Sequence, residues 1–163
     1  MKIQKLFAAI FLISMIFTTT PASAEMPDIT AGETKFDFKS GRYVLTGNVK
    51  VVFTDRTITA QEASVDLYNE VMNASGDVTM TSENLTFRCD EMSGEWAKHG
   101  VDVNGNVKFD VLNGISISAE RGSFSWKTKL ADFYNATVIE NGVEKHFNHV
   151  QYHVIENQIT ESE

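Results

Sequence analysis

The chain has one cysteine, Cys89, so no disulfide within it can hold the fold together. Proline is almost absent. Pro21 and Pro27 are the two, and both precede the repeats described below. No proline therefore breaks a strand in the remaining sequence. Basic residues are scarce, 14 against 22 acidic, for a formal net charge of −8. Such a chain is not built to grip nucleic acid, and it gains nothing electrostatically from an anionic membrane surface. Helical spacing is missing as well. After residue 24 no stretch keeps apolar residues three and four apart, whereas valine, isoleucine, threonine and phenylalanine are plentiful.

One long apolar run exists, over residues 6–17. At about 12 residues it falls short of the roughly 20 that span a bilayer. Lys2 and Lys5 precede it, Pro21 closes it, and Ala22-Ser23-Ala24 forms an A-x-A cleavage site. Residues 1–24 read as a secretory signal peptide cut after Ala24, with no cysteine nearby for a lipid anchor. Loss of Lys2 and Lys5 leaves 12 basic residues against 22 acidic ones, a charge near −10. Residues 25–33 read as a flexible polar N-terminus, 34–155 as one domain, and 156–163 as a polar tail.

Inside that domain the sequence repeats. Gly47-Asn48-Val49-Lys50-Val51 returns as Gly76-Asp77-Val78-Thr79-Met80 and again as Gly105-Asn106-Val107-Lys108-Phe109. The glycines stand 29 residues apart, and an eroded fourth copy starts at Asn135. Downstream, Ile58 to Ala63, Leu85 to Glu91 and Ile115 to Arg121 also correspond, followed by Leu67, Trp96 and Trp126. Fixed-period self-similarity marks a repeat architecture. Glycine and asparagine read as turn formers leading into half-buried strands, so each unit is expected to hold about three short strands. Ser40-Gly41, Asn113-Gly114 and Asn141-Gly142 read as further turns. The fold class expected is all-β, with 12–16 short antiparallel strands, roughly five residues each.

Strand parity then assigns faces. Val49, Val51 and Phe53 share one side, as do Val78 and Met80, and Leu85 and Phe87. Val107, Phe109 and Val111 do the same, and so do Ile115 and Ile117. The other parity carries Lys50, Thr79, Lys108, Asp110 and Ser116. A dry face cannot stay in water, so the sheet must meet another or fold on itself. Ala60, Ala63, Ala74 and Ala119 lie on or near the dry parity and leave room inside. Cys89 falls there too and reads as a buried thiol.

Catalytic groups do not converge. His149 and His153 stand four apart, which suits a metal pair on a helix, but on a strand that spacing separates them by about 13 Å. Neither a metal nor a cofactor is expected. Glu62 and Asp90-Glu91 recur at one place in the repeat, which points to turn or edge positions rather than acid–base work.

The segments "LTGNVKV", "ASGDVTM" and "VNGNVKF", each followed by "TITAQEASVDL", "LTFRCDEMSGEW" or "ISISAERGSFSW", resemble the LptA/OstA-like family. The resemblance covers residues 35–150. It implies an open β-jellyroll folded like a taco, no enzymatic activity, and a place in the periplasm. It further implies an interior that holds the acyl chains of lipid A, with lipopolysaccharide as cargo between inner and outer membranes. An LptC-type inner-membrane protein, an LptD-type outer-membrane barrel and further copies of the chain, head to tail, are the implied partners. On this reading the twelve inward residues above line the groove. Arg42, Lys50 and Lys108 are the basic residues offered to anionic lipid. The joining edges are 34–38, with Phe36 and Phe38, and 147–155, with Tyr152 and Val154. Two other classes compete. A solid β-solenoid or adhesin-like module would bury Val49, Phe87, Phe109 and Ile117 and leave no room for a guest. A secreted jellyroll enzyme would need convergent carboxylates or a metal cluster.

Overall fold

Long alternating stretches punctuated by glycine and asparagine give strands and short turns. The computed structural model describes residues 28–162 apart from 55, 96, 113 and 126, and apart from the side chains of 161 and 162. The leader 1–24, its cleavage site, Trp96 and Trp126 lie outside the described residues. Among the described residues there is no helix. The strands are β1 (Asp28–Thr30), β2 (Glu33–Asp37), β3 (Arg42–Val52), β4 (Arg56–Asp66), β5 (Val71–Ser82), β6 (Leu85–Glu95), β7 (Gly100–Val111), β8 (Ile115–Ser125), β9 (Leu130–Glu140), β10 (Val143–His153) and β11 (Gln158–Ser162). They form one open antiparallel sheet in which each strand from β3 onward pairs with the next. On the outer edge of β3, β1 and β2 lie end to end.

The all-β, open antiparallel class is the one the sequence predicts, but the strands are longer than expected. Those from β3 to β10 hold 11 or 12 residues each. The 29-residue period is one hairpin of two long strands, not three short ones. What misled the sequence reading is the Gly-Asn pair. Gly47 and Asn48 have φ of 76° and 52°, Gly76 and Asp77 77° and 49°, Gly105 and Asn106 74° and 47°. Two successive left-handed residues usually make a hairpin turn. Here they sit in mid-strand, and the register slips across each, between Thr46 and Val49, Ser75 and Val78, Asn104 and Val107. They are bulges, which bend a strand and increase its twist. Asn135, at φ 51°, is left-handed at the equivalent place, but the register between β8 and β9 does not slip there. Where the bulge recurs at one height in alternate strands, a crease runs across the sheet.

The facing strands explain the residue types at the crease. A side chain at Gly105 would run into the Asp90 carboxylate, and one at Gly76 would come within 2.6 Å of Gln61 Cβ. Asn106 Nδ2 donates to Asp90 Oδ2 at 2.8 Å, and Asn135 Nδ2 to Glu120 Oε2 at 2.7 Å. Glycine makes room for the acid, and asparagine binds it. Glu62 and Asp90-Glu91 are thus mid-strand residues at the crease, not turn or edge residues as expected. Ala60, Ala74 and Ala119 also cluster there rather than around an internal space.

Pairing runs past the expected limits 34–155 at both ends. Ile29 sits opposite Val51, and Ile159 opposite Tyr152. Strands of three and five residues are too short to show period two, and backbone bonding to an edge is blind to sequence.

The dry face is buried by coiling. In register, Phe109 aligns through Ile117 and Val138 with Lys145. Its ring nevertheless touches Tyr152, with centroids 4.9 Å apart. Lys145 and Tyr152 are roughly 23 Å apart along a strand at about 3.3 Å per residue. Such a contact needs the far half of the sheet to cross over the near half. Phe133 from β9 meets Phe109 the same way, at 5.5 Å.

Candidate functional site

All twelve inward residues lie on the concave face. Val49, Val51, Phe53, Val78, Met80, Phe87, Val107, Phe109, Ile115 and Ile117 are buried, while Leu85 and Val111 are half-buried. Val49, Phe87, Phe109 and Ile117 are only 3%, 7%, 2% and 0% exposed, which is what a solid module requires. Room for a guest depends on the remaining space, and that space is uneven. In the middle, Phe87, Met92, Phe124, Ala131 and Phe133 line a narrow apolar gap of about 30 Å³. That is above the roughly 10–15 Å³ that one water needs, and far below what an acyl chain needs.

At one end the interior opens into a cavity of about 660 Å³. Four of the predicted residues wall it: Met80, Leu85, Phe109 and Val111. Tyr152 and Val154 close the opposite side, and Leu112, 75% exposed, stands at the rim. Thr54, Ser82, Glu83, Asn84 and Asn157 add polar groups from the turns. The Tyr152 hydroxyl donates to Asn157 Oδ1, so its polar tip has a partner in the wall. Ligand pockets are commonly about 300–1,000 Å³, and this cavity falls in that range, with a lining almost as polar as it is apolar. An acyl chain placed there would gain roughly 0.8 kcal/mol per buried methylene.

Sequence reasoning missed the polar part of the wall, Arg56 above all. Arg56 lines the cavity, is only 5% exposed, and places its guanidinium 5.7 Å from the Phe53 ring centroid. Its signal was legible: Arg56, Ile58 and Ala60 share the inward parity of β4. Arg42, Lys50 and Lys108, the basic residues expected to relieve lipid charge, are exposed, with Lys50 and Lys108 on the parity opposite the interior. Cys89 is buried beside the crease, and burial pushes its thiol up to about 12, with Asp90 adding to the effect. Among the described residues no group of three or more His, Cys, Asp or Glu side chains is placed to hold a metal. His149 instead bonds Asp132 at 2.8 Å and stacks on Tyr134 at 4.6 Å.

The N-terminal edge is close to the expected one, and the C-terminal edge differs from it. Phe36 lies on β2 at the N-terminal edge, against Tyr43 at 4.3 Å and Phe38 at 4.6 Å, and Phe38 is 71% exposed. At the other end Tyr152 is 3% exposed and paired on both sides, to Ala131 and Ile159. It is a core residue, and Val154 lies in the turn after β10. The C-terminal edge belongs to β11 and to the first half of β10, which β11 leaves uncovered.

A family model described as "LptA/(LptD N-terminal domain) LPS transport protein" matches residues 28–156. No curated protein matches the chain. Among solved structures it is similar to "LptH, the LptA homologous periplasmic component of the conserved lipopolysaccharide transport device from Pseudomonas aeruginosa". Identity is 13%, the TM-score is 0.34, and 83% of this chain and 81% of that chain are covered. With nearly the whole described fold inside the matched region, the chain belongs to the LptA/LptD N-terminal domain family of lipopolysaccharide transport proteins.

Proposed function

We propose that the chain is exported to the periplasm and carries lipopolysaccharide from the inner towards the outer membrane. Acyl chains of lipid A occupy the concave face of the coiled sheet and enter at the open end. The observation that supports this reading is the cavity at the open end, whose apolar wall includes Met80, Leu85, Phe109 and Val111. The chain's acidity puts the affinity on acyl burial: about ten buried methylenes would supply roughly 8 kcal/mol before the cost of association. It works as a transport protein, not an enzyme.

Partners join at the edges. The β1–β2 edge and the β11 edge are different surfaces, so copies add head to tail without closing a ring. An LptC-type protein at one end and an LptD-type barrel at the other use the same edges. Removing residues 149–163 would strip Val150 and Tyr152 from the core, so it is no test of assembly. Removing 158–163 takes β11 and leaves β10 whole. Smaller species in sedimentation at high concentration would support β11 as the joint, and unchanged oligomers would place the joint elsewhere.

A second reading, a solid structural module, draws support from the narrow middle, where about 30 Å³ is left between the side chains. Mass spectrometry of the protein purified from a lipopolysaccharide-producing cell separates the two. Stoichiometric glycolipid favours transport, and lipid-free protein that takes up none on mixing favours the solid module.

A further inference from the structure

We propose that the wet face of the sheet carries a binding site for a neutral glycan strand, one built of hexose or N-acetylhexosamine rings. The site lies outside the coil, and the inference does not depend on what fills the interior. Ser93, Asp102, Ser123, Asp132 and Gln151 are register partners on five successive strands, β6 to β10. Each stands between two buried neighbours, so all five point outward. With strands about 4.8 Å apart, the row runs roughly 19 Å across the sheet. Part of it is sunk. Ser93, Glu95, Asp102, Ser123, Ser125 and Asp132 line a depression of about 240 Å³. Gly100 lies opposite Ser125 and adds no side chain to fill it. The volume is a little under the roughly 300 Å³ at which ligand pockets begin, room for one sugar ring with its neighbours lying along the row.

The polar groups beside the depression are held in place. Asp132 Oδ1 accepts from Gln151 Nε2 at 3.0 Å and bonds His149 Nε2 at 2.8 Å. His149 stacks on Tyr134 at an interplanar angle of 8°, and the Arg121 guanidinium lies 4.2 Å from the Tyr134 ring centroid. The side chains of Asp132 and His149 are only 25% and 23% exposed. On a merely solvated face polar side chains stand free in water. Here a carboxylate is fixed before any ligand arrives, which lowers the ordering cost of binding. The donor and acceptor types suit sugar hydroxyls. Carboxylates accept, serine hydroxyls donate and accept, and two adjacent ring hydroxyls donate to one carboxylate in charge-assisted bonds. Charge then selects among sugars. Lys98 on the rim is bonded to Glu95 at 2.6 Å, so Asp102 and Asp132 leave the depression negative. Acidic saccharides are repelled and neutral ones admitted.

Titration of the purified protein with cellotetraose, chitotetraose, tetragalacturonate and tetralysine, followed by backbone amide NMR, tests this. At least one of the two neutral sugars is expected to shift the amides around Ser93, Asp102, Ser123 and Asp132. It should bind about tenfold or more tighter than tetragalacturonate. Asp132→Asn should weaken it about tenfold, the scale of hydrogen bonds to a charged group, and Asp102→Ala about threefold. Lys50→Ala, exposed on the wet parity of β3, should leave binding unchanged. No shift at these amides with either neutral sugar overturns the proposal. So does tetragalacturonate binding as tightly as they do, or Asp132→Asn binding like the parent. Tetralysine binding at the same amides as tightly as the sugars would reveal a plain acidic patch and overturn it too. Should Asp132→Asn fail to fold, Asp102→Ala, at an exposed position, decides the matter.

Discussion

Phe109 touches both regions into which the interior divides. On one side its ring packs on Phe133 at 5.5 Å, around a void of about 30 Å³. On the other it walls a cavity of about 660 Å³. Both regions are lined by alternating strands, but the void is lined almost entirely by apolar side chains, while the cavity also has Thr54, Arg56, Ser82, Glu83, Asn84 and Asn157 in its wall. What separates them is the coil of the sheet. Where the two halves cross, side chains from β5 to β9 narrow the gap, and beyond the crossing Ser82, Glu83, Asn84 and Leu112 border the larger space. An inward residue is therefore core or lining according to its place along the strand, and parity does not distinguish the two.

The largest effect should separate these regions. Ile117 is fully buried, and Ile117→Asp places an unpaired charge in the packed middle. A loss of about 4 kcal/mol or more is expected, enough to unfold a domain of this size. Leu85→Asp at the cavity wall should cost no more than about 1.5 kcal/mol, since Leu85 is half-buried, yet it should abolish alkyl binding. Urea denaturation and titration of both variants check this. Equal destabilisation would merge the two regions into one core.

The crease is tested next. Gly105 and Gly142 both have positive φ, 74° and 79°. An alanine at either costs about 1–2 kcal/mol of left-handed strain. At Gly142 nothing lies within 4 Å, whereas at Gly105 the new methyl meets Asp90. Gly105→Ala should therefore be the more destabilising, by about 1–2 kcal/mol. Asn106→Ala loses one exposed hydrogen bond and a residue that tolerates left-handed backbone, for about 1 kcal/mol. If the Gly105 and Gly142 variants melted alike, the bulge would not depend on its facing acid.

The smallest effect concerns Cys89, a natural probe of the middle. Its thiol stays protonated to about pH 12, against about 9 for an unburied thiol. The folded state thus releases its proton later than the unfolded one, so at pH 8 thiolate is scarce and maleimide labelling should wait on unfolding. Stability should be flat below about pH 9 and fall above it as the unfolded thiol ionises. Rapid labelling of native protein would show a middle that opens to solvent.

The faces of the strands were legible because burial imposes period two on each residue: every one of the twelve inward residues from Val49 to Ile117 lies on the concave side. The strand lengths were not, because two left-handed residues look the same in a turn and in a bulge, and only the facing Asp90 or Gln61 distinguishes them. The edge strands were hidden by their brevity. Arg56 was readable as a charge on a dry parity. The cavity was not readable at all, since it depends on which distant rows the coil brings together, as with Phe109 and Tyr152.

The central claim, that the open end and not the wet face receives acyl chains, is tested most directly by a photo-crosslinking residue placed in turn at Val111 and Lys108 in a lipopolysaccharide-producing cell. Val111 is on the cavity wall, and Lys108 is exposed on the other parity of the same strand. The expected result is a lipid adduct from position 111 and none from 108. An adduct from 108, or none from 111 with folding intact, would contradict the account.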